Sequence, residues 1–142
     1  MRKLKFHEKK LLKKKLVNVL KQMDPRDPFR KERTDMLLEK LYSMGVIPTR
    51  KSLALCDKLS VSSFCRRRLA SVLVKQKFVE NLKMAITVIQ QGHIRVGPDT
   101  VTDPAYLVTR NMEDFITWVD SSKIKRNLQV YNETLDDYDA MN

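Results

Sequence analysis

The sequence predicts an α+β protein: a helical first part, then two helices packed on a small antiparallel sheet. Apolar residues recur at helical spacing as far as Ile89, and Gly92 stops that pattern. The period then changes from 3.6 to 2 over His93–Gly97. A Gly97-Pro98-Asp99 turn follows, and a run rich in β-formers, Phe115-Ile-Thr-Trp-Val119, comes later.

Taken in order, residues 4–20 place Leu4, Leu11, Leu12, Leu16, Val19 and Leu20 near helical spacing, with lysines on the other face. Three readings stand for this helix: packed on the body, laid on a membrane surface, or docked on RNA or a partner protein. Met23-Asp-Pro-Arg-Asp-Pro28 ends it, because two prolines so close cannot continue a helix. A second helix is expected from Arg30 to about Met44, with Met36, Leu37, Leu41 and Met44 as its stripe and Gly45 as its stop. A short helix over Lys51–Leu59 follows. Ser60, Ser62 or Ser63 then caps a helix through Phe64-Cys-Arg-Arg-Arg-Leu69 to about Lys77, burying Leu69, Val72 and Leu73. The next helix starts near Asn81 with Leu82, Ala85, Ile86 and Ile89 on one face. In the first strand Ile94 and Val96 point one way, and His93, Arg95 and Gly97 the other. Val101 begins the return, and Tyr106-Leu-Val108 and Phe115–Val119 read as further strands. The expected divisions are 1–22 as a basic helical arm, 23–61 as accessory helices, 62–120 as the α+β domain, and 121–142 as an extension with an acidic tail.

The 142 residues suffice for one such domain plus an extension. Net charge is +11, which makes a polyanion the default partner. The charge is uneven. Residues 1–33 hold 13 Lys/Arg against four acids, a net of +9, leaving +2 for the rest, and Glu133, Asp136, Asp137 and Asp139 crowd the tail. No apolar run approaches the roughly 18 residues that a membrane span needs, and no apolar segment of a secretory signal follows the basic start. Cys56 and Cys65 form no metal-ligand pair and suit a reducing compartment, where buried thiols behave as small hydrophobes. No Ser/His/Asp set, phosphate-binding Gly loop or paired carboxylates appear, so neither catalysis, a cofactor nor a small-molecule substrate is expected.

Phosphate recognition needs cations at fixed spacing, preferably guanidinium groups. Arg66, Arg67 and Arg68 at a helix start offer these, joined along the same helix by Lys75. Three consecutive positions span about 200° of a helix, so Arg67 and Arg68 are assigned to the ligand and Arg66 to the side. A solvated basic face is the plainer alternative. His93 and Arg95 share an outward strand face, although His93 can equally hydrogen-bond within the turn after Gly92. Lys123, Lys125 and Arg126 form a second cluster, in contact with a ligand or merely solvated. Tyr106, Phe115 and Trp118 alternate with Val and Ile and read as core before stacking platforms. Leu11, Leu12, Met36, Leu37 and Leu41 are the candidates for docking a protein partner.

Arg67-Arg68-Leu69, a two-helix segment, Gln91-Gly92-His93-Ile94-Arg95-Val96 and Tyr106-Leu107-Val108 together resemble the alpha-L, or S4-type, RNA-binding domain family, over about Ser62 to Val119. Arg2-Lys-Leu-Lys-Phe-His-Glu8, Phe64–Leu69, Gly92–Pro98, Tyr106–Asp114 and Trp118–Lys125 narrow this to a nucleolar branch, the alpha-L subunits of U3 small nucleolar ribonucleoproteins. One departure is a shorter segment between the Lys/Leu-rich start and Asp27-Pro28-Phe29. The resemblance implies two helices on a small sheet, with the helix start and the first strand lying against RNA. It also implies a nucleolar assembly factor that stabilises or promotes pairing of U3 small nucleolar RNA with precursor ribosomal RNA. Its implied companions are a large acidic scaffold protein and a Brix-domain protein. A structural protein of the mature small subunit and a protein-docking subunit with auxiliary RNA affinity are the alternatives.

Overall fold

The computed structural model describes residues 6–132, and side chains from Lys14 onward. Leu4 and the acidic tail therefore lie outside the described residues, as do the side chains of Leu11 and Leu12. The chain forms two compact units, residues 1–68 with 107–111, and residues 69–106 with 112–142.

In the first unit, α1 (Phe6–Gln22) is one unbroken helix. Its inward face carries Val17 and Leu20, whereas Leu16 and Val19 are exposed. The face expected from the sequence is thus rotated by about one position. α2 (Pro28–Ser43) begins two residues earlier than expected. Asp27 caps it by accepting the Phe29 N–H at 2.9 Å, and Pro28 occupies the first turn, where its missing N–H costs nothing. Gly45 ends the helix at φ +73°, a conformation that favours glycine. A 3₁₀ helix (Leu53–Lys58), capped by Ser52, and the short α3 (Val61–Cys65) follow. Val17, Leu38, Leu41, Ile47, Cys56 and Phe64 form the core of this unit.

The single helix expected through residues 64–77 is two. α3 stops at Cys65 and α4 (Leu69–Lys75) starts afresh: the N–H groups of residues 66–68 still bond back to α3, but the Arg67 carbonyl is taken by distant chain in place of a further helical turn. Arg68 bridges Leu107 in antiparallel fashion, and the Arg67 carbonyl accepts the Val108 N–H at 2.9 Å. That isolated bridge is also what becomes of the strand expected at 106–108.

In the second unit α4 packs on α5 (Leu82–Gln90), which Asn81 caps by accepting the Met84 N–H. The buried face of α5 is Ala85, Val88 and Ile89, while Leu82 and Ile86 point to solvent, again a rotation from the expected stripe. Gly92, at φ +76°, turns the chain into β1 (Ile94–Val96). β2 (Asp99–Thr100) and β3 (Ile116–Trp118) flank β1 in an antiparallel sheet of order β2-β1-β3. Register puts Arg95 opposite Thr117 and Ile94 opposite Trp118. Ile94, Val96 and Ile116 are buried, as period-two alternation requires. The expectation that three aromatics are core fails for Tyr106 and Phe115, which are exposed. Trp118 is half-buried against Phe78, with ring centroids 5.8 Å apart. α6 (Lys123–Tyr131), capped by Ser122, occupies the extension. The observed architecture is α+β, helices with a three-stranded antiparallel sheet.

Candidate nucleic-acid interface

The three consecutive arginines part company. Arg66 and Arg68 are exposed, and Arg67 is buried at 9% exposure. The Arg67 guanidinium donates to the Val108 carbonyl at 3.0 Å and covers Gly45, where an added Cβ would sit 2.7 Å from its Cζ. An apolar cavity of about 240 Å3, lined by Met44, Val46, Phe64, Leu107 and Thr109, lies beside it. Arg67, expected to face RNA, is instead buried and turned inward in this structure. Its side chain crosses the interior to hold the 107–111 segment, and the outward cations at this site are Arg66 and Arg68.

Arg110, which no sequence motif singled out, secures the same segment. It donates from Nε to the Tyr42 carbonyl at 3.1 Å and from a terminal nitrogen to the Ile47 carbonyl at 2.8 Å. Its guanidinium also stands 4.3 Å from the centroid of the Tyr42 ring. The Arg110 N–H also donates to the Ser43 carbonyl at 2.8 Å, so the segment satisfies the last carbonyl of α2.

In the second unit, Arg95 lies across the sheet, donating from Nε to Thr117 Oγ1 at 2.9 Å and pairing with Asp120 at 3.3 Å. Lys125 pairs with the other Asp120 oxygen. The hydrogen bond from Lys125, then the charge of Arg95, hold the Asp120 carboxyl below the usual carboxylate range. His93 shares a 2.9 Å hydrogen bond between its Nδ1 and Ser122 Oγ, and the same hydroxyl accepts the Ile124 N–H at the start of α6. His93 thereby serves the local architecture, joining the end of α5 to the cap of the helix that carries Lys123, Lys125 and Arg126. Lys123 and Arg126 are exposed, and so is Lys75, whose Glu113 partner stands 3.5 Å away. Asp120 was missed at the sequence level. The clue available was its place directly after a strand and two residues before a helix cap.

The candidate docking residues also divide. Leu41 is fully buried at 0% exposure in the first unit's core and cannot meet a partner. Leu37 packs against that core, and Met36 is exposed. The side chains of Leu11 and Leu12 lie outside the described residues. Among the described residues no group of His, Cys, Asp and Glu could hold a metal ion, and no helix is long and apolar enough to cross a membrane.

Residues 67–114 match the S4 domain. The matched stretch contains Arg68, Lys75, His93, Arg95 and the Arg110 clamp. The U3 small nucleolar ribonucleoprotein protein IMP3 of Mus musculus is 57% identical over 126 residues, covering 89% of this chain and 68% of that protein. This chain belongs to the IMP3 family. The IMP3 protein of Saccharomyces cerevisiae is 49% identical, with 89% of this chain and 69% of that protein covered. A more distant relative is small ribosomal subunit protein uS4 of Sulfolobus acidocaldarius, 34% identical over 67% of this chain and 54% of that protein. The α+β architecture and the resemblance read from the sequence agree with both findings.

Proposed function

We propose that the chain is an RNA-binding assembly factor of the U3 small nucleolar ribonucleoprotein, acting in the nucleolus on precursor ribosomal RNA. The observation that carries this reading is the 57% identity to a U3 ribonucleoprotein protein along 89% of the chain. Exposed cations along the S4-matching stretch support it: Arg68 in the first unit and Lys75 in the second, with Arg66, Lys123 and Arg126 just outside it. Such cations displace condensed counterions from phosphates and lower the repulsion between two RNA strands. That is the physical requirement for stabilising the pairing of U3 RNA with precursor RNA. A-form RNA offers its backbone and shallow groove, so cations on a rigid scaffold read shape more than sequence. Exposed Leu16, Val19 and Met36 leave α1 and α2 able to dock protein companions, for which an acidic scaffold protein and a Brix-domain protein are the candidates.

The likeness to uS4 favours one second reading, a structural protein of the mature small subunit. Affinity purification of the tagged chain, followed by gradient sedimentation, separates the two. Our reading expects U3 RNA and uncleaved precursor to co-purify, with none of the chain in mature small subunits. Stable residence in mature subunits would overturn it.

A further inference from the structure

The first unit carries a basic concavity that lies outside the S4-matching residues. Arg30, Lys31, Thr34 and Asp35 of α2 line it on one side, and Arg50 and Lys51 on the other, around about 380 Å3. Four cations thus face one carboxylate, and they come from two segments about twenty residues apart in sequence. Two of the cations are held in place by the protein. Arg30 donates to the Met23 carbonyl at 2.8 Å. Arg50 pairs with Glu39 and stands 5.0 Å from the centroid of the Tyr42 ring. The Glu39 hydrogen bond and charge raise the Arg50 pKa. Lys31 and Lys51 are exposed and have no ion-pair or hydrogen-bond partner among the described residues. On the same wall the buried Thr34 hydroxyl oxygen finds no hydrogen-bond partner among the described residues. Four cations against the carboxylates of Asp35 and Glu39 leave the concavity net positive, and a bound anion relieves the remaining repulsion.

We propose that this concavity is a phosphodiester site, in which Lys31 and Lys51 hold a backbone phosphate of an RNA strand between the anchored Arg30 and Arg50. The proposal rests on the RNA-binding reading and extends it to residues that the S4 match does not reach. A phosphate fits better than a peptide carboxylate. Lysine ammonium groups act as point charges toward any phosphate oxygen, and the RNA-binding reading supplies phosphates as the anion at hand. Contacts of this kind fix the register of an RNA and carry no sequence information.

The test uses the full chain and a U3–precursor duplex junction, titrated over a salt series with wild type, Lys31→Ala/Lys51→Ala and Arg66→Ala/Arg68→Ala. Both lysines are exposed, so the first variant should melt with wild type. Its log–log salt slope should flatten by about 0.7–0.9, the share of the one phosphate that the two lysines hold. An unchanged slope in that variant, with flattening in the arginine variant, overturns the concavity and leaves the RNA reading standing. Wild-type binding that does not respond to salt overturns both. A poly-glutamate peptide whose binding depends on Lys31 and Lys51, while the RNA slope does not, would assign the concavity to an acidic protein and also overturn the proposal.

Discussion

Replacing Arg67 by alanine should unfold the first unit more readily without weakening RNA binding. The mutation deletes a hydrogen bond from a charged donor to the Val108 carbonyl, a class of bond that contributes about 1.5–3 kcal/mol. It also strips the packing of a buried aliphatic stem, at about 0.8 kcal/mol per methylene. The adjoining 240 Å3 cavity grows, because the surrounding core can relax only in part. Against these losses stands relief from burying a guanidinium, a penalty of several kcal/mol in unrelaxed surroundings. The balance is a destabilisation of about 2–4 kcal/mol. At about 2–4 °C per kcal/mol for a chain near this size, the thermal midpoint should fall by about 5–15 °C. Circular dichroism melts measure this directly, and RNA titrations well below the midpoint check that affinity is retained. An Arg67→Ala variant that melts with wild type yet loses RNA affinity would refute the structural role assigned to this side chain.

Gly45→Ala should cost at least about 1 kcal/mol through its left-handed backbone, and more through displacement of the Arg67 guanidinium. In the Arg67→Ala background only the backbone part should remain, so a double-mutant cycle by chemical denaturation should return a coupling of about 0.5–3 kcal/mol. Asp120→Asn should release Arg95 and Lys125, steepening the log–log salt slope for RNA by about 0.7–0.9 for each cation that then meets a phosphate. The Asp120 carboxyl titrates below its ordinary value when folded, so its pairing is intact above the ordinary carboxylate pKa. The pairing is lost as pH falls through the depressed value, which NMR titration of the Asp120 carboxyl carbon will show. Burial pushes the Cys56 thiol up, so iodoacetamide should label the half-buried Cys65 of the native chain well before Cys56.

The order of elements was legible because the hydrophobic period changes at a glycine stop, and neither signal depends on distant chain. Gly45, Gly92 and the Ile94/Val96 alternation all sit where the sequence put them. Helix faces were less legible. Leu16 and Val17 in α1, and Ile86 and Val88 in α5, are equally apolar, and only the partner surface decides which turns inward. The site divided in the same way. The cationic character of Arg66, Arg68 and Lys123 is local, whereas the burial of Arg67 follows from Gly45 and Val108, far away in sequence. Arg110 shows the same limit, since its three carbonyl and ring partners lie more than sixty residues earlier. α6 could have been found. Ser122 precedes Ile124, Leu128 and Tyr131, a cap followed by apolar residues at helical spacing.

We propose that exposed cations of the chain, and not the buried Arg67, engage RNA. The most direct measurement is the salt dependence of binding to a U3–precursor RNA duplex junction for wild type, Arg68→Ala and Arg67→Ala. The account predicts that Arg68→Ala flattens the log–log slope by about 0.7–0.9 at an unchanged melting temperature, while Arg67→Ala keeps the wild-type slope. A wild-type slope in Arg68→Ala together with a flattened one in Arg67→Ala would contradict it.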